Sequence, residues 1–125
     1  MKLHTRLSII SVLLLSGAAA QAACVYPQAP QSIPNGASAS KEEMLAAQAS
    51  VKEYTTAVQE TYLPCLEQEK TASLATLDPA DPEYAAKKVT IESMHAKKHN
   101  AALDELQATA DRWNTERKAF SEKAK

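Results

Sequence analysis

From Met44 onward, apolar residues recur in steps of three and four: Met44, Ala47, Val51, Tyr54, Val58, Tyr62, then Cys65 and Leu66. A turn of about 3.6 residues places such positions on one side of a helix. The stretch "SKEE", residues 40–43, marks where that helix begins. Ser40 followed by Glu43 is a capping box, in which the hydroxyl accepts from the Glu43 amide and the carboxylate accepts from the Ser40 amide. Glu42 and Glu43 also suit the positive end of the helix dipole. The pattern runs out near Leu77, so a first helix is expected over residues 40–77. Pro64 lies inside it. A proline there leaves the Glu60 carbonyl without its usual donor and crowds it with the ring. The residues allow two outcomes: a kink of about 20° or more near Pro64, or a split with Pro64 opening a second piece.

The stretch "DPADPEY", residues 78–84, interrupts the periodicity with two prolines and two aspartates, and reads as a loop. Asp81 suits an N-cap, Pro82 the first helical position and Glu83 the first turn. A second helix is therefore expected over residues 82–123. Its stripe is Tyr84, Ile91, Met94 or His95, Ala102, Leu106, Ala110, Trp113 and Phe120, with no glycine or proline in between. Two long helices and a short loop make an antiparallel hairpin with coiled-coil character. Facing residues in such a pair have a constant sum of numbers. Met44 with Phe120, Val51 with Trp113, Val58 with Leu106 and Tyr62 with Ala102 all give 164. The predicted class is all-α, an antiparallel two-helix hairpin.

Ahead of the helices, residues 23–39 hold Pro27, Pro30 and Pro34, then the turn pair Asn35-Gly36. Closely spaced prolines favour extended backbone over helix, so this segment is predicted to be a strap. A two-helix core rich in alanine is thin. Each large buried side chain contributes roughly 1.5–3 kcal/mol, against roughly 1–2 kcal/mol lost per ordered backbone residue. The strap, a disulfide and self-association are three ways to supplement it. Val25, Tyr26 and Ile33 are the strap residues expected to cover the groove along the first helix. A second apolar set, Leu45, Ala49, Leu63, Leu66, Leu74 and Leu77, is what the strap or another subunit would cover.

Composition changes the picture at the N-terminus. Lys2 and Arg6 precede the apolar run "LSIISVLLLSGAAA", and Ala20-Gln21-Ala22 follows as an A-x-A site. Together they read as a signal peptide over residues 1–22, cleaved near Ala22. The run falls short of the about 20 apolar residues that span a bilayer. Lipidation at Cys24 is disfavoured, because Gln21 stands where an apolar residue, usually leucine, is required. Past the leader no run is long enough to cross a membrane. Without Lys2 and Arg6 the chain carries 12 basic and 15 acidic residues, a net charge of −3. That balance argues against nucleic acid and against an anionic membrane surface. The two cysteines, Cys24 and Cys65, form a disulfide candidate in an exported chain. The extended strap reaches about 50 Å, enough to fold back along the about 37 Å of helix between Ser40 and Cys65.

Candidate chemistry is confined to "ESMHAKKHN", residues 92–100. His95 and His99 stand one helical turn apart, and Glu92 is three residues before His95. A divalent metal could take all three. Glu69 is expected opposite His95 in the hairpin register. Lys97 and Lys98 flank the pair, and the catalytic glutamate of HExxH is missing. Asp104, Glu105, Asp111 and Glu116 are spaced like a solvated face. Tyr54, Tyr62, Tyr84 and Trp113 fall on the apolar stripes and read as core. No GxSxG, P-loop or dinucleotide fingerprint is present.

The layout of "IPNG", "YLPCLE" and "HNAALDELQATADRWN" resembles small exported helical proteins widespread in proteobacterial genomes. The resemblance is one of architecture and implies no activity. Extracytoplasmic stress chaperones built on helical hairpins differ, because their LTxxQ repeats are absent here. The expected function is that of a periplasmic or secreted, non-enzymatic interaction or structural protein of the cell envelope, with a protein partner or a second copy and no cofactor. The alternative is a periplasmic divalent-metal-binding protein using His95 and His99.

Overall fold

A computed structural model describes residues 23–123. The leader read over residues 1–22 lies outside the described residues. The described chain is mostly helical and contains no strand. Its helices number three, with a π-helical segment, where the periodicity predicted two. They are α1 (Lys41–Thr56), the π segment (Ala57–Tyr62), α2 (Leu63–Ala75) and α3 (Tyr84–Lys123).

The start of α1 is the capping box. Ser40 Oγ accepts from the Glu43 amide at 3.2 Å, and the Glu43 carboxylate accepts from the Ser40 amide at 2.7 Å. The bond from the Ser40 amide favours the charged form of Glu43, and is the chief reason its carboxyl is held below the ordinary carboxylate range.

Near Pro64 a π-helical segment interrupts the regular α-helix, and Pro64 lies in the first turn of α2. Thr56, Ala57, Tyr62 and Leu63 all keep right-handed helical dihedrals, so α1, the π segment and α2 form one continuous arm. The Leu63 amide donates to the Val58 carbonyl, five residues back. The wider turn ends just before Pro64, where the pyrrolidine ring would crowd the Glu60 carbonyl of a regular α-helix.

The second break also differs by two residues. The Asp81 carboxylate accepts from the Glu83 amide at 2.7 Å, and the Asp81 carbonyl accepts from the Tyr84 amide at 2.9 Å. Residues 81–83 thus close a turn before helical geometry begins, and α3 starts at Tyr84, not Pro82.

α3 packs along both α2 and α1. The contacts run antiparallel: Glu69 meets Lys98 and His95 near one end, while Ala39 meets Lys123 near the other. Tyr54, Val58, Tyr62, Leu66 and Ala102 form the central buried cluster, with Leu63 and Leu106 against it. The strap supplies the remaining cover through Cys24, Tyr26 and Ala29. Cys24 and Cys65 are joined by a disulfide, with Cα atoms 5.8 Å apart. Tyr26 stands edge-on to Tyr62, its ring centroid 4.9 Å away, and shares a hydroxyl hydrogen bond with Tyr54. Val25, expected to cover the groove along the first helix, is instead 86% exposed. An extended chain turns alternate residues to opposite sides, and with Cys24 and Tyr26 facing inward Val25 must face out.

The other end of the strap docks on α3. The Gly36 amide donates to the Glu116 carboxylate at 2.7 Å. A Cβ at Gly36 would overlap the Glu116 carbonyl oxygen, so the turn approaches the helix backbone at a distance only glycine allows. Glu116, expected on a solvated face, is therefore partly covered and engaged.

Candidate functional site

α2 and α3 enclose an open cavity of about 370 Å³ at the end of the molecule near the disulfide. Leu63, Leu66, Glu67 and Lys70 line it from α2, and Glu92, His95, Ala96 and His99 from α3. All three candidate metal ligands, Glu92, His95 and His99, thus share one cavity. Their surroundings differ. His95 takes the inward place on the α3 stripe and is only 4% exposed, whereas Met94 is turned outward at 45%. Glu92 and His99, one turn away on either side, lie at the exposed rim. Among the described residues, no group of three or more His, Cys, Asp or Glu is gathered so as to hold a metal ion. The shared helix face brings the three to one cavity without bringing their donor atoms to one point.

Among the described residues, His95 has no hydrogen-bond partner on Nδ1 or Nε2. Its nearest charged neighbour is Glu69, whose Oε1 lies 3.8 Å from Nε2. That places Glu69 opposite His95, as the antiparallel register predicts. Glu69 is the most connected side chain of the site. Lys98 Nζ reaches its Oε1 at 2.8 Å, and the Cys24 backbone amide donates to its Oε2 at 3.4 Å. The Lys98 bond is the chief reason the Glu69 carboxyl is held below the ordinary range, with partial burial opposing and the Cys24 amide assisting. At the rim, Glu67 pairs with Lys70 at 2.7 Å and Glu92 lies 3.9 Å from Lys88. One carboxylate, Glu69, therefore ties the strap, α2 and α3 together beside the disulfide.

Three features escaped the sequence. Lys98, read only as a flanking charge, reaches across to Glu69 because it lies three residues beyond His95 and on the same side of α3. The Cys24 amide joins the site because the disulfide fixes its position. Thr109 is almost wholly buried on α3, and its hydroxyl has no partner among the described residues. A polar residue interrupting an apolar stripe gave no signal for that burial.

Tyr54 and Tyr62 belong to the core, as their stripe positions predict, while Tyr84 and Trp113 are half-buried. Leu45, Val89, Met94 and Leu103 remain exposed on the arms. Among the described residues no helix is long and apolar enough to cross a membrane. Comparison with known proteins finds no matching family, no matching curated protein and no matching solved structure.

Proposed function

We propose that this chain is an exported, non-enzymatic interaction or structural protein of the cell envelope: a strap-tied helical hairpin whose outer faces engage a protein partner or a second copy. The observation that carries the reading is the exposure of large apolar side chains on arms that the disulfide and strap hold in place. Val89 is 63% exposed and Met94 45%, and both line one shallow surface depression with Lys97 and Lys98. Apolar residues grouped on a held surface favour association over solvation. The even cysteine pair, closed as a disulfide, suits an oxidising compartment such as the periplasm.

The test is site-specific photo-crosslinking from positions 89 and 94 in cells, with sedimentation of the purified protein alongside. A defined crosslinked species, abolished by Val89→Glu with Met94→Glu, is the expected outcome. A monomer in sedimentation with no crosslink at either position counts against the reading.

A second reading, divalent-metal binding, is favoured by one observation: the buried, unpartnered His95 shares its cavity with His99 and Glu92. Coordination there requires the exposed His99 and Glu92 to turn inward and His95 to rotate toward them. Calorimetric titration of the protein with Zn²⁺, Cu²⁺ and Ni²⁺ decides it. Binding that His95→Ala abolishes supports a metal role, and an absence of heat in the parent protein ends it.

A further inference from the structure

We infer that removal of residues 1–22 creates an α-ammonium group at Ala23 that pairs with Glu69, so that the processed N-terminus itself completes the junction of strap, α2 and α3. The inference rests on the export reading above and on hydrolysis after Ala22. In that step water cleaves the Ala22–Ala23 peptide bond. The water oxygen leaves with Ala22 as part of its carboxylate, and Ala23 keeps the nitrogen as a protonated amine. A neutral amide at position 23 thereby becomes a cation.

The geometry around Glu69 suits that cation. Its Oε1 is occupied by Lys98 at 2.8 Å and approached by His95 Nε2 at 3.8 Å, both from α3. Its Oε2 faces the strap, where its one partner among the described residues is the Cys24 amide at 3.4 Å. A single long hydrogen bond leaves acceptor capacity on that oxygen. The Ala23 nitrogen is one residue from the Cys24 amide, and adjacent Cα atoms are about 3.8 Å apart. Nor can Cys24 drift away. It is bonded to Cys65, and Cys65 lies four residues before Glu69 on α2, one turn along the same face. The disulfide therefore delivers the chain end to the carboxylate. Ala23 is exposed, so its ammonium keeps water on its outer side while facing Glu69 on the other. The unprocessed chain has no charge at this position.

The experiment uses the oxidised mature protein beginning at Ala23, purified after export, with NMR titration of its α-amino group. An opposite charge nearby favours the ammonium form, so the group is expected to titrate roughly half a unit to one unit above the ordinary range of about 7.7–8.0. The shift is expected to vanish in Glu69→Gln and in a chain beginning at Gln21, which keeps the charge but moves it two residues away. An unshifted value in the mature protein, or a shift that survives Glu69→Gln, overturns the inference. Intact mass of the exported protein separates this inference from the reading beneath it. A start at Ala23 without a shift, or a start elsewhere, overturns the inference alone, while retention of residues 1–22 in the cytoplasm overturns both.

Discussion

Gly36 shows how a single residue can decide where the strap lies. Its amide donates to the Glu116 side chain, and its missing Cβ lets the turn lie against the Glu116 carbonyl and the Phe120 amide. Backbone atoms cannot yield as a side-chain tip can. Gly36→Ala should therefore lift the turn off α3 and cost about 1–3 kcal/mol, the usual range for forced overpacking. Urea unfolding of the purified protein measures it, and a midpoint unchanged from the parent would show that the turn is free to move. The sequence marked Asn35-Gly36 as a turn. It held no sign that the glycine serves close approach, because that demand is made by a helix eighty residues away. The same limit applies to Glu116 and Lys98. Each was legible as a charge on a helix, but its partner was set by tertiary geometry.

At the scale of elements, the π segment has a signal in the sequence that a 3.6-residue template hides. Tyr54, Val58, Tyr62 and Leu66 follow in three consecutive steps of four, and all four are buried in one cluster. In a regular α-helix each step of four overshoots one turn by about 40°, so three steps drift by about 120°. A wider π turn absorbs that drift and keeps the four side chains on one side. Packing and Pro64 thus ask for the same distortion. Since the stripe alone is sufficient, Pro64→Ala should leave the π segment in place and change stability by no more than about 1 kcal/mol, as for a substitution at an exposed position. Amide exchange across residues 57–63 with urea unfolding checks this. Conversion of the segment to regular α-helix in the variant would assign the distortion to the proline instead. Helix existence, the capping box and the antiparallel register were legible because each is encoded locally or by long periodicity. The π segment was masked by the 3.6-residue template, and the later start of α3 was not legible, since it settles competition among neighbouring hydrogen bonds.

The whole molecule is a thin core closed on three sides, and its stability should depend on the links between its parts. The disulfide is the first. It joins residues 41 apart in sequence, and a loop of that size is worth about 4 kcal/mol in the chain-entropy model. Cys65→Ser should lower stability by several kcal/mol and expose Tyr54 and Tyr62 as the strap loosens, while an unchanged melting temperature would mean that Tyr26 and Gly36 hold the strap unaided. The remaining links are ionisable, and they set a pH window. Glu43 at the start of α1, Glu69 between strap, α2 and α3, and Asp81 ahead of α3 all have carboxyls held below their ordinary range, by Ser40, Lys98 and Lys87 respectively as first cause. A depressed carboxyl stabilises the fold above its unfolded pKa, about 4.3 for Glu and 3.9 for Asp, and that contribution is lost as pH falls through the lower folded value. Tyr26 and Tyr54 shift the opposite way. Burial is the main cause for both, and their shared hydrogen bond raises Tyr26 further. A raised phenol leaves stability intact below its unfolded pKa of about 10 and withdraws it as pH rises beyond. The melting temperature, followed by circular dichroism, should thus be level between about pH 5 and 10 with respect to these groups and fall on both sides. Glu69→Gln should flatten part of the acid limb, and Tyr26→Phe part of the alkaline limb. If neither variant changes its own limb, the strap is held by packing and the disulfide alone, and the polar links around it follow the fold without supporting it.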